Sequence, residues 1–293
     1  AKALEQLESK SRGADGSPNA VSTGDSNALA KEKTGNDGSA STIRLLCVTG
    51  AGGFVGVGVS AAVLMVFSNV EAKLLGDVIR ADNVRVEGKM DFGEVLTATL
   101  GISGGAVAVN VSAGVAYFGG TVETGVGGNA KLGGVSGEVF VSTSGVTNAV
   151  AAAAGIAGGA VAVNAGVALA ISRTRVDTYI GRGVSIDIAG GVRVETEFGS
   201  NCTAMILSIA GGAVAVGATA AIAINSVEAY TYIGVTPAAD VMPASSLAGG
   251  KVRAGSVALE SSVTGSTDVM GLGIAGGAVA VNGTVALGFN SMK

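Results

Sequence analysis

The chain has no histidine and no tryptophan, only three prolines and two cysteines, and just 14% charged residues across 293 positions. Each scarcity closes off a class of function. Without histidine there is no Ser-His-Asp arrangement and no imidazole metal site. Cys47 and Cys202 lie 155 positions apart (202−47 = 155), cannot form a thiolate cluster, and read as buried free thiols. A net charge of −4 and a pI near 5.0 leave no basic footprint for nucleic acid. No window offers the roughly 18 to 20 uninterrupted, glycine-poor apolar residues of a membrane helix. The stretch Val55 to Phe67 is too short, and Ala149 to Ile171 alternates Val and Ala with Gly at a period of two. No membrane span is therefore expected. The opening Ala1-Lys2-Ala3 carries neither initiator Met nor signal peptide, and reads as processed or cut from a longer chain.

What the chain does have is glycine, 49 residues of it, and a recurrence. Gly52-Gly53-Phe54-Val55-Gly56-Val57 is followed by Gly104-Gly105-Ala106-Val107-Ala108-Val109-Asn110 and by the same pattern from Gly158, Gly211 and Gly276. The intervals are 104−52 = 52, 158−104 = 54, 211−158 = 53 and 276−211 = 65. Such a period marks a stacked array in which each unit buries its apolar faces on its neighbours. Alternating strands Val84-Arg85-Val86-Glu87, Val139-Phe140-Val141-Ser142, Val192-Arg193-Val194-Glu195 and Val257-Ala258-Leu259-Glu260 precede the next Gly-Gly by 20, 19, 19 and 19 residues (104−84, 158−139, 211−192, 276−257). Short segments ending in a glycine turn follow each Gly-Gly, as in Tyr179-Ile180-Gly181 and Tyr232-Ile233-Gly234. These parts predict an all-β fold, a parallel β-solenoid of about five repeats of roughly 53 residues.

Two segments fall outside the pattern. Residues 1–42 are polar and poor in apolar anchors, and read as an arm that is either disordered or ordered only against a neighbouring subunit. Residues 43–293 form the repeat domain. The long fourth interval contains Pro237 and Pro243 in an inserted loop over 235–250, either a tolerated bulge or a binding element.

Period two places Val107, Val109, Val111 and Val115 on one face, with Ala106, Ala108, Asn110, Ser112 and Gly114 on the other. Both faces are small or apolar, which predicts burial of both, with one so flat that another sheet can approach closer than the usual ~10 Å. Stacking in register would bring Asn110, Asn164 and Asn282 to one level, interrupted by Gly217. They either form an amide ladder or end the strand by local turn bonding.

The run Leu45-Leu46-Cys47-Val48-Thr49-Gly50-Ala51-Gly52-Gly53-Phe54-Val55-Gly56 resembles the phosphate loop of nucleotide-sugar epimerases and extended short-chain dehydrogenases. That chemistry needs a helix start at the glycines and a Tyr four residues before a Lys. Val57-Gly58-Val59-Ser60 follows instead, and Tyr117, Tyr179, Tyr230 and Tyr232 have no such Lys. Calcium-binding nonapeptides and Thr-x-Thr ice-binding ladders are also missing, and the pairs Asp187 with Glu195 and Asp77 with Asp82 read as solvated edges. The expectation is no enzyme, no catalytic or metal site and no cofactor.

The Tyr-Ile-Gly turn, Ala189-Gly190-Gly191-Val192-Arg193-Val194-Glu195 and the Ala-Gly-Gly-Ala-Val-Ala-Val-Asn segments together resemble repeats of large bacterial exoproteins. These are the filamentous haemagglutinin-like adhesins and leukotoxin-type proteins, and the resemblance spans roughly Ile43 to Lys293. It implies an extracellular or cell-surface scaffold and carries over no catalytic residue. The function expected is a structural solenoid that polymerises head to tail with itself into a fibre or appendage, with host or matrix surface as a further partner. The alternative is an adhesin-type module that binds a glycan or host protein through the 235–250 loop.

Overall fold

A computed structural model describes residues 41–235 and 249–293, and among them every regular element is a strand. Five coils stack in register, one coil to each repeat. The first coil holds β1 (Ser41–Ala51) and β2 (Val55–Leu74). The second holds β3 (Val84–Gly104), β4 (Val107–Val126) and the short β5 (Lys131–Leu132). The third holds β6 (Val139–Gly158), β7 (Val161–Gly181) and β8 (Ser185–Asp187). The fourth holds β9 (Gly191–Gly211), β10 (Val214–Gly234) and β11 (Val252–Arg253), and the fifth holds β12 (Ser256–Gly276) and β13 (Val279–Met292).

Equivalent strands pair in parallel to give two long sheets, β1-β3-β6-β9-β12 and β2-β4-β7-β10-β13, and a narrow third side, β5-β8-β11. The parallel β-solenoid expected from the period is what forms. A 21-residue strand spans about 70 Å at ~3.3 Å per residue, whereas five coils at ~4.8 Å spacing rise only about 20 Å. The described array is a broad plate, wide along its strands and thin along its stacking axis.

The Gly-Gly pairs do not lie within a strand, as their alternating context suggests. They form the corner at which one long sheet turns into the other: β3 ends at Gly104 and β4 begins at Val107. The cause is close approach between coils. A Cβ on Gly105, Gly159, Gly212 or Gly277 would collide with the carbonyl oxygen of Gly53, Gly105, Gly159 or Gly212 in the coil before it. Only glycine lets these corners nest. Nor are the Tyr-Ile-Gly segments separate pieces, since they close the long strands β7 and β10. The single extra residue between Val84 and Gly104 is a bulge, where the ladder skips from Phe92↔Thr147 to Val95↔Ala149. There Asn148 Nδ2 donates to the Gly93 carbonyl at 2.7 Å.

The interior tapers. Against the third side it is filled by Val84, Val126, Leu132, Val139, Ile180 and Ile186. In the middle it holds Met90, Phe118, Val122 and Phe198, and at the corner its apolar residues are the alanines Ala108, Ala157, Ala162, Ala210 and Ala215. The two long sheets therefore close on one another toward the corner. At Gly114 an added Cβ would come within 2.9 Å of the Ala152 carbonyl of the facing sheet. The small face does permit this closer approach.

The valine face behaves differently from the expectation of two buried faces. Ala108, Asn110, Ser112 and Gly114 point inward, while Val107, Val109, Val111 and Val115 point out, and among the described residues no second layer covers them. Period two fixes which residues share a face, but with both faces apolar or small it does not fix how many layers the array has.

Several of the buried polar groups climb the stack as ladders. Asn110 Nδ2 donates to Asn164 Oδ1 at 2.9 Å, and Asn164 Nδ2 donates to the Gly155 carbonyl at 2.6 Å. The amide ladder thus exists where two asparagines are adjacent, and Gly217 interrupts it as the register requires. Nearer the third side, Thr143, Thr178, Thr196 and Thr231 form a hydroxyl chain with each step at 2.7 Å, zigzagging between the long sheets. Between these levels, Ser200 Oγ donates to Asn225 Oδ1 at 2.7 Å and accepts from Thr147 Oγ1 at 3.0 Å.

Candidate assembly edges and apolar faces

The sequence offers no catalytic, cofactor-binding or metal-binding residue, and the features that distinguish this molecule lie on its surfaces. The dehydrogenase-like run sits at the first corner: β1 carries Leu45 to Ala51, and Val57-Gly58-Val59-Ser60 continues as strand β2. No helix N-terminus faces its glycines. The carboxylates of the two pairs bond to other partners. Asp77 Oδ1 accepts the Lys131 N–H at 2.8 Å and Asp82 Oδ1 accepts Ser136 Oγ at 3.3 Å. Asp187 lies 3.9 Å from Arg253, and Glu195 lies 3.2 Å from Arg193. Among the described residues no cluster of three or more His, Cys, Asp or Glu could hold a metal. Cys47 and Cys202 are buried free thiols, as their separation suggests. Of the 235–250 loop, residues 236–248 lie outside the described residues, as does the arm over 1–40. The loop's described ends follow β10 and precede β11.

Two kinds of surface stand out. The first is the pair of open ends. β1 and β2 bound the stack on one side, β12 and β13 on the other, and within the described residues none of them has a strand on its outer edge. β13 is exposed along nearly its whole length. Each end therefore offers about one coil's length of unpaired N–H and C=O groups in parallel register.

The second is the outer surface of the two long sheets, which is divided by polarity. Toward the third side it is charged and paired up the stack. Lys73 bridges to Glu123 at 2.6 Å, Glu123 accepts the Tyr179 hydroxyl at 2.9 Å, and Arg175 meets Asp177 at 2.7 Å. Tyr179 also stacks on Tyr232 with ring centroids 5.4 Å apart, and Arg175 lies over the Tyr230 ring at 5.1 Å. Burial, reinforced by the bond to Glu123, pushes the Tyr179 phenol well above its ordinary value. Arg193 bridges Glu195 and Glu260.

Toward the corner the charges stop altogether. No charged residue occurs between Arg44 and Glu71, Glu94 and Glu123, Glu138 and Arg173, Glu197 and Glu228, or Asp268 and Lys293. Each of these runs is centred on a corner, and its outward positions nearest the corner are mostly Val, Leu, Ile, Met and Ala. Phe54, Met65 and Phe67 in the first coil, Ile102 and Val111 in the second, and Met270, Leu272 and Ile274 in the fifth are exposed. The interior behind them mixes small apolar and polar residues: Thr97, Thr99, Ser103, Asn110, Ser112 and Ser208 are buried among alanines. Sequence reasoning found both faces of these strands but missed this arrangement. The signal that could have found it is the position of the uncharged runs around the glycines. Compared with known proteins, the chain matches no family model, no curated protein and no solved structure, so its fold and its surfaces carry the functional reading.

Proposed function

We propose that this protein is a structural β-solenoid module that stacks end to end with further copies of itself into a fibre or surface appendage, at an extracellular or cell-surface location. The observation that supports it best is the pair of unlike open ends. The outer edges of β1 and β2 and those of β12 and β13 face opposite ways along one stacking axis, and the internal coils already pair in the register that joining two ends requires. A contact between two different surfaces of one molecule that does not close on itself propagates as an open filament. The resemblance to filamentous haemagglutinin-like repeats accords with this reading. Sedimentation and negative-stain electron microscopy test it: filaments whose width matches the ~70 Å strand length are expected. A chain that stays monomeric across the micromolar range, with no fibres, refutes it.

The second reading, an adhesin module, is favoured by the insertion between β10 and β11, which departs from an otherwise regular period. Deleting that loop separates the two readings. Loss of glycan or host-protein binding with assembly intact supports the module.

A further inference from the structure

We infer that the corner half of the stack is a lipid-inserting keel: its two apolar outer faces enter the hydrocarbon of a phospholipid bilayer while the charged half, with the third side, stays in water. The inference rests on the stacked form proposed above, because hydrocarbon tolerates no open sheet edge and stacking pairs every edge except those at the ends of the array.

Four observations converge. The apolar surface lies on both sides of the wedge and around its tip, which fits immersion in a solvent better than contact with one partner surface. Its depth suits a bilayer. From Val107 to Tyr117 on one sheet the outward apolar positions extend about 33 Å, and from Leu96 to Gly104 on the other about 26 Å, close to the ~30 Å of a hydrocarbon core. Backbone pairing between coils continues around the tip: Gly105 N–H donates to the Gly158 carbonyl at 3.2 Å, Gly159 to Gly211 at 3.0 Å and Gly212 to Gly276 at 2.9 Å, the kind of pairing a low-dielectric surrounding favours. Finally, the larger apolar side chains, Val, Leu and Ile, lie outside, while the interior holds small Ala mixed with Ser, Thr and Asn, an outward apolar bias like that of strands that cross membranes. At the edge of the apolar band stand Tyr117, Arg173, Arg175 and Tyr230, the aromatic and basic residues that favour the headgroup layer. No helix among the described residues is long and apolar enough to cross a membrane, but that has no bearing on strands.

The chain's lack of tryptophan makes the test direct. Val163→Trp places one indole on the outer face of the central strand β7, and Arg193→Trp places one in the charged half of β9. Each variant is mixed with phosphatidylcholine and phosphatidylglycerol vesicles, floated through a density gradient, and its fluorescence read with and without chain-brominated lipid. Expected are flotation of both, with a blue shift and bromine quenching for the indole at 163 and neither for that at 193. Val163→Arg, with its β-sheet circular dichroism retained, should lower the vesicle-bound to free ratio by about thirtyfold or more. Stacks that form without lipid but stay at the bottom of the gradient overturn insertion and leave assembly standing. So does an indole at 163 that is already blue-shifted in lipid-free stacks and deaf to bromine, which would assign the apolar faces to contacts between copies. A lipid-free monomer whose indole at 163 is quenched in vesicles supports insertion and overturns assembly in solution.

Discussion

At the level of single residues, the corner region is governed by volume matching across the two sheets. On one sheet Gly58, Asn110, Asn164, Gly217 and Asn282 occupy one level of the stack. On the other, Thr49, Gly101, Gly155, Ser208 and Gly273 occupy one level. A Cβ on Gly101, Gly155 or Gly273 would collide with Asn110, Asn164 or Asn282 respectively. Where the asparagine becomes Gly217, the opposing glycine becomes Ser208, and where it becomes Gly58 the opposing residue is Thr49. Each coil thus pairs one large residue with one small. Gly155→Ala should therefore cost about 1 to 3 kcal/mol through overpacking, read from the denaturant midpoint. Gly217→Asn alone should cost a similar amount, since an added Cβ would meet the Asn282 amide oxygen at 2.5 Å and lie 3.7 Å from Ser208 Oγ. Adding Ser208→Gly should recover the part that comes from the facing sheet. Additive losses in the double variant would show that the two positions are not matched. Tyr179 allows a pH test. Its folded-state pKa is raised above the ordinary value of 10.0, so the neutral phenol is the form that folding favours. The stability this contributes is complete below about pH 10 and is lost as pH rises toward the folded value. Tyr179→Phe should flatten the alkaline limb of a denaturation series between pH 9 and 12. An unchanged limb would remove Tyr179 as its cause.

The strands themselves show how far local pattern reaches. Val84, Val139, Val192 and Val257 are in register as their spacing indicates, and the one-residue surplus before Gly104 is a real bulge at 92–95. Inward and outward sets were equally legible over Ala106 to Val115, because alternation is a property of the backbone. What could not be read locally was strand length. Glycine within an alternating run is compatible with a strand interior or a turn, and only the stacked carbonyls at Gly105, Gly159 and Gly212 make the pair a corner. Nor does alternation say which face meets water when the candidates are valine on one side and alanine, serine and asparagine on the other. The hydroxyl chain from Thr143 to Thr231 was likewise invisible, since its members come from four strands. Thr178→Val, at its middle, strands the Thr143 hydroxyl and removes one of the two partners of Thr196. A loss of about 1 to 3 kcal/mol is expected in equilibrium unfolding. A neutral substitution would mean that packing, not hydroxyl bonding, holds the two sheets at this level.

For the whole molecule, stability should be graded along the stacking axis. Each coil touches only its neighbours, so among the described residues the first and fifth coils have one interface each and the third is flanked by coils that themselves have two. Hydrogen exchange followed by mass spectrometry should find the amides of β7 slowest, with those of β2 and β13 opening first. If end-to-end stacking occurs, protection of β2 and β13 should rise with protein concentration, and the difference between centre and ends should shrink. A uniform exchange rate at high dilution would contradict the graded picture. The agreement of one coil with one sequence repeat has a further consequence for how such a chain could change over generations. Because equivalent residues lie directly above one another, unequal recombination between two repeats would delete or duplicate a whole coil and leave the outline of the plate untouched. Length along the axis would change in steps of about 4.8 Å, with every ladder rejoined at the splice.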